Sequence, residues 1–116
     1  MGKKSKHVKL EVFVPEAYVD RLRERLNEVG AGRIGSYDHC LSVTTVEGYW
    51  RPLDGANPFD GEIGVVSQGE ERKIEINCPE EKVEAALKVI RENHPYERPL
   101  INIIKLLNHK YDDING

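Results

Sequence analysis

An α+β fold of the ferredoxin-like type is predicted, with the order β-α-β-β-α-β, an antiparallel sheet and two helices on one of its faces. Three features predict it. Two segments alternate apolar and polar residues at a period of two, and each runs into a proline followed by acidic residues. Behind each proline, apolar residues recur at helical spacing. Between these two units lies a β-branched stretch rich in glycine and proline, with no helical period.

The first strand runs from His7 to Val14. Val8, Leu10, Val12 and Val14 share one face, and Lys9 and Glu11 lie on the other. Pro15 supplies the fixed φ of a first helical turn, with Glu16 at the positive end of the dipole. Val19, Leu22, Leu26 and Val29 then form a stripe that Gly30 stops. A second strand is expected from the alternation of Tyr37, His39, Leu41 and Val43, carried on by Val43-Thr44-Thr45-Val46. Asp54-Gly55, Asn57-Pro58 and Asp60-Gly61 mark a surface loop. Glu62 to Val66 resembles a short strand, and Glu70 to Cys78 a clearer one, with Ile74, Ile76 and Cys78 on one face. Pro79 opens the second helix, whose stripe is Val83, Ala86, Leu87 and Ile90, and His94-Pro95 ends it. Ile101 to Leu107 is the last strand. The expected division is a basic tail at 1–6, one domain at 7–107 and a polar, frayed tail at 108–116.

A chain of 116 residues suits a single core. With 39% apolar and 32% charged residues it reads as a soluble domain, neither disordered nor membrane-spanning, because no apolar run approaches about 18 residues. A net charge of −3 with interleaved signs argues against nucleic acid. The third strand also lacks the stacking aromatics of RNA-recognition modules. MGKKSKH is followed by an alternating strand, so it is not a secretory signal. The two cysteines, Cys40 and Cys78, read as small buried residues of a cytoplasmic protein.

Few residues offer chemistry. His39, Cys40 and His94, with Glu97 nearby, are acceptable ligand types for a divalent metal ion. Neighbours on a strand face opposite ways, however, so His39 and Cys40 do not readily share one ion. No nucleophile elbow and no phosphate-cradling loop is present, so no catalytic residue is assigned. The remaining constellation is Tyr37, Trp50, Arg51, Asn57, Phe59, Tyr96 and Glu97, with Arg98. Aromatics interspersed with charges suit an interface or a small-ligand pocket. The sheet face away from the helices is of mixed character. Phe13 lies between charged neighbours, and Ile104 and Leu106 share the parity of Asn102, which suits burial in an oligomer.

At these residues the sequence resembles a known family. Arg33-Ile34-Gly35-Ser36-Tyr37-Asp38-His39-Cys40, Gly48-Tyr49-Trp50-Arg51-Pro52, Gly55-Ala56-Asn57-Pro58-Phe59 and His94-Pro95-Tyr96-Glu97 occur in that order. Together they look like the PII/CutA-like insert of YqfO-type proteins, also called NGG1-interacting-factor-like or dinuclear-metal hydrolase-like, here as a stand-alone chain. The His-Pro-Tyr-Glu step is also similar to the CutA divalent-ion tolerance proteins. The resemblance covers His7 to Leu107. It implies ferredoxin-like sheets packed into a homotrimer or a multiple of three, acting as a regulatory domain. The two-metal centre of the full-length relatives lies outside the insert, so no ligand of that centre and no hydrolase activity is carried over. The Pro52–Gly61 loop replaces the nucleotide-sensing loop of PII proteins. The expectation is therefore a non-catalytic, self-associating binding module whose ligand is a small molecule or a partner protein. The alternative is a CutA-type divalent-ion binder.

Overall fold

The period-two alternation at the N-terminal end gives β1 (His7–Val14), whose Val8, Leu10, Val12 and Val14 are buried on one face. The computed structural model describes residues 6–111. After β1 come α1 (Val19–Glu28), β2 (Ser42–Trp50), β3 (Ser67–Pro79), α2 (Val83–Asn93) and β4 (Ile101–Lys105). The sheet is antiparallel throughout, in the order β2-β3-β1-β4. Leu22 and Leu26 of α1 and Ala86 and Ile90 of α2 close on the buried face of β1 and on Ile74, Ile76 and Cys78 of β3. This is the ferredoxin-like α+β arrangement read from the sequence.

Both strand-to-helix joints are built alike. Pro15 and Pro79 hold φ −61° and −57° in extended backbone, and a single 3₁₀ turn precedes each α-helix. The next joint residues, Tyr18 and Lys82, also match, at φ −101° and −102°. Proline at each joint costs no ladder hydrogen bond and pre-sets the bend.

The second expected strand forms only from Ser42 onward, as β2, and the one expected at Glu62 to Val66 is absent. Tyr37 to Leu41 lies outside any strand. Ile34 and Tyr37 exchange backbone hydrogen bonds of 2.9 Å across a tight turn at Gly35-Ser36. His39 then adopts the left-handed conformation (φ 55°), which an extended strand cannot contain. Cys40 is therefore a half-buried loop residue, whereas Cys78 is fully buried, its thiol pushed up to about 11 by burial. Glu62 to Val66 is a turn as well. Gly64 sits at φ +81° and donates to the Pro52 carbonyl at 2.7 Å, folding the loop back. At the C-terminal end β4 stops at Lys105, and Asn108–Lys110 forms a 3₁₀ turn where fraying was expected. The remaining residues of both expected tails, 1–5 and 112–116, lie outside the described residues.

The register carries one consequence for the site. β1 pairs with β3 only from Arg72 to Pro79, so residues 67–71 pair with β2 alone. The sheet thus continues as a two-stranded ribbon, Val46–Trp50 against Ser67–Glu71. A strand of 13 residues spans roughly 40 Å, so β3 sets the long dimension of a molecule measuring 56 × 23 × 22 Å.

Leu26 is fully buried between helix and sheet. Leu26→Ala should lower stability by about 2–5 kcal/mol, read from the urea midpoint at unchanged denaturant slope.

Candidate functional site

On the face of the sheet away from the helices, the ribbon carries two opposed glycines, Gly48 and Gly69. Neither position could hold a side chain without displacing a neighbour. A Cβ on Gly48 would overlap the Glu71 carboxylate, and one on Gly69 would lie 3.2 Å from the Trp50 ring. The paired glycines therefore form a floor on which a carboxylate and an indole lie flat.

Two segments close over this floor, held by three hydrogen bonds. The Trp50 indole N–H donates to the Asp60 carbonyl at 3.0 Å, which turns the 51–60 loop back over the ribbon. The Asn57 N–H donates to Glu97 Oε1 at 2.9 Å, tying that loop to the segment after α2. The Tyr96 hydroxyl donates to Glu71 Oε2 at 2.8 Å, tying that segment to β3. Phe59 packs on Tyr96 with ring centroids 5.9 Å apart at 47°. The half-open cavity beneath them is about 430 Å³, within the range of small-molecule sites. Phe13, Trp50, Pro52, Phe59, Tyr96 and Leu100 supply its apolar walls, and Arg51, Asp60, Glu71, Glu97 and Arg98 its charges.

His94 fixes the last of these segments. It is buried, with Nε2 2.6 Å from the Phe13 carbonyl and Nδ1 accepting the Tyr96 N–H at 3.1 Å. The carbonyl can only accept, so the proton resides on Nε2 and both ring nitrogens are occupied. Burial lowers the His94 pKa, against the Phe13 carbonyl and the Glu71 charge, which favour the cation. Burial and the hydrogen bond to Glu71 raise the Tyr96 phenol well above its usual range, so it remains a donor.

Six expected residues meet at the cavity: Trp50, Arg51, Phe59, Tyr96, Glu97 and Arg98. Asn57 serves it through its backbone. Tyr37 does not reach it, being 75% exposed in the turn after α1. The metal candidates are not brought together. His39 Nδ1 lies 2.9 Å from the Arg23 guanidinium, its N–H donates to Asn27, and the Cys40 thiol faces the Asp38 carbonyl. Both nitrogens of His94 are engaged elsewhere. Among the described residues, no group of three or more His, Cys, Asp or Glu side chains could hold an ion. Sequence reasoning missed Glu71, and it placed Phe13 on the open sheet face without joining it to the site; the face both share with Gly48 follows from the register.

Because the folded His94 pKa lies below the ordinary 6.5, the unfolded chain takes up its proton first on acidification. This contribution to stability should be full above pH 6.5 and fall as pH drops from there to the folded pKa, then level off. His94→Gln should flatten that slope in urea titrations run at several pH values.

With this geometry established, comparison with known proteins gives a consistent placement. No protein-family model matches the chain. The GTP cyclohydrolase 1 type 2 homolog of Halalkalibacterium halodurans is 38% identical over 100 residues, covering 86% of this chain and 27% of that protein. The chain thus spans about a quarter of the length of the curated relatives it matches. Among solved structures, a Bacillus cereus protein related to NIF3 superposes with a TM-score of 0.79 and 30% identity, over 90% of this chain and 26% of that one. The PII-like protein CutA of Nostoc sp. PCC 7120 superposes at 0.64 with 19% identity, over 90% and 85% of the two chains, which shows a shared fold alone. Over most of its length, this chain is homologous to a PII/CutA-like segment of the NIF3-related GTP cyclohydrolase 1 type 2 homolog proteins.

Proposed function

We propose that the chain is a non-catalytic binding and regulatory module, assembled as a homotrimer or a multiple of three, with the cavity under the 51–60 loop as its ligand site. The observation that carries the binding reading is the closure of that cavity by two separate segments, the 51–60 loop and the residues after α2, tied to the ribbon and to each other by three specific hydrogen bonds. Its lining includes no serine, cysteine or histidine, and the Tyr96 hydroxyl is committed to Glu71. Binding is therefore favoured over chemistry.

Self-association rests on the open sheet face and the ribbon. On that face Phe13, Val46 and Ile104 accompany a Lys9–Glu75 ion pair of 2.8 Å and an Asn102–Glu11 hydrogen bond of 3.2 Å. The hydrogen bond between the partners raises the Lys9 pKa and lowers that of Glu75. Charges already paired within one chain can be covered at less cost than isolated ones. On the ribbon and its loop, Tyr49, Leu53, Val65 and Val66 are all exposed apolar residues. The threefold number comes from the likeness to PII/CutA-type proteins. No helix among the described residues is long and apolar enough to cross a membrane. The divalent-ion alternative has no comparable support among those residues.

Native mass spectrometry of protein purified without metal exposure should give the mass of three chains or a multiple of three. A bare monomer at micromolar concentration would overturn the self-association. Ile104→Lys, at a position 38% exposed on the open face, should reduce the mass to one chain while the far-ultraviolet circular dichroism is kept.

A further inference from the structure

The charges around the cavity are not equivalent. Arg51, Asp60, Glu97 and Arg98 are exposed at its mouth, whereas Glu71 alone is half-buried, on the glycine floor. Its Oε2 accepts the Tyr96 hydroxyl, and its Oε1, over Gly48, has no hydrogen-bond partner among the described residues. The rings of Phe13, Trp50, Phe59 and Tyr96 line the same space, and their π-faces are electron-rich. A carboxylate with a free oxygen at the bottom of an aromatic cavity attracts a cationic donor and repels an anion.

We infer that the cavity takes a small organic cation, an amine or guanidinium carried on a flat apolar body, with its charged head on Glu71 Oε1 and its body between the aromatic rings. This deepens the proposed binding function and rests on it. Arg51 and Arg98 at the mouth would meet an acceptor at the far end of such a molecule, so a zwitterion with an inward-pointing amine belongs to the same class.

The test uses three probes with one ring system: tryptamine, uncharged 3-methylindole and anionic indole-3-propionate. Each is titrated into the full chain, and the Trp50 indole and Tyr96 backbone resonances are followed by NMR. Tryptamine should bind roughly tenfold more tightly than 3-methylindole, and indole-3-propionate more weakly than either. Glu71→Gln keeps the size and the acceptor for Tyr96, and it should bring tryptamine to the level of 3-methylindole. Gly48→Ala, which pushes the carboxylate off the floor without removing its charge, should weaken tryptamine as well. If indole-3-propionate binds as tightly as tryptamine, or if Glu71→Gln leaves the ranking unchanged, the cation inference is overturned and the cavity remains a ligand site. If no probe moves either resonance, both the inference and the ligand site beneath the loop are overturned.

Discussion

The mismatch in length between β1 and β3 governs this structure. β3 has 13 residues and β1 has 8, so only part of β3 can lie inside the four-stranded sheet. The inner part, from Ile74 to Cys78, supplies every second residue to the core and meets β1 residue for residue. The outer part finds a partner only in β2 and leaves the core behind. A two-stranded ribbon has little stability of its own in water. Here its root is held by the sheet, and its outer reach is held by the loop that Trp50 and Asp60 fold back over it. The cavity lies under that fold-back, where the sheet narrows to a ribbon.

The same mismatch links two stretches far apart in sequence. Asn57 and Glu97 are 40 residues apart, and Tyr96 and Glu71 are 25 apart, yet each pair is joined by a hydrogen bond shorter than 3 Å. The Gly-Ala-Asn-Pro-Phe loop and the His-Pro-Tyr-Glu step are two halves of one device. His94 anchors the second half to the Phe13 carbonyl at the end of β1, so one imidazole references the His-Pro-Tyr-Glu segment to a core strand. Loss of the imidazole would therefore loosen the cavity without touching its lining.

Much of the architecture was legible because burial imposes its own period. The stripes Val19-Leu22-Leu26-Val29 and Val83-Ala86-Leu87-Ile90 all join the core, as does the alternation in β1 and β3. The misreadings have a common origin. Tyr37, His39, Leu41 and Val43 alternate, but His39 places left-handed backbone within that stretch, as Gly35 does just before it, and backbone sign is silent in an apolar pattern. The site was half legible for a related reason. Trp50, Phe59 and Tyr96 were visible as residue types out of place on an ordinary surface, and Glu97 through the His-Pro-Tyr-Glu step. Glu71 was not, since an acidic residue at an outward position reads as a solvated one. Only the pairing of Gly48 with Gly69 shows that this carboxylate has a bed cut for it.

One detail of the sheet bears on how such a domain can occur within larger proteins. The chain enters at β1 and leaves after β4, and these are adjacent strands. The Leu106 N–H still reaches the His7 carbonyl at 3.3 Å, so the start of β1 and the backbone just after β4 lie side by side. A host polypeptide could open one surface loop, admit the whole domain through that gap and resume with almost no displacement of its own path. The entropy of closing such a gap is small. The cavity and ribbon, at the opposite end of the sheet, would then face away from the host.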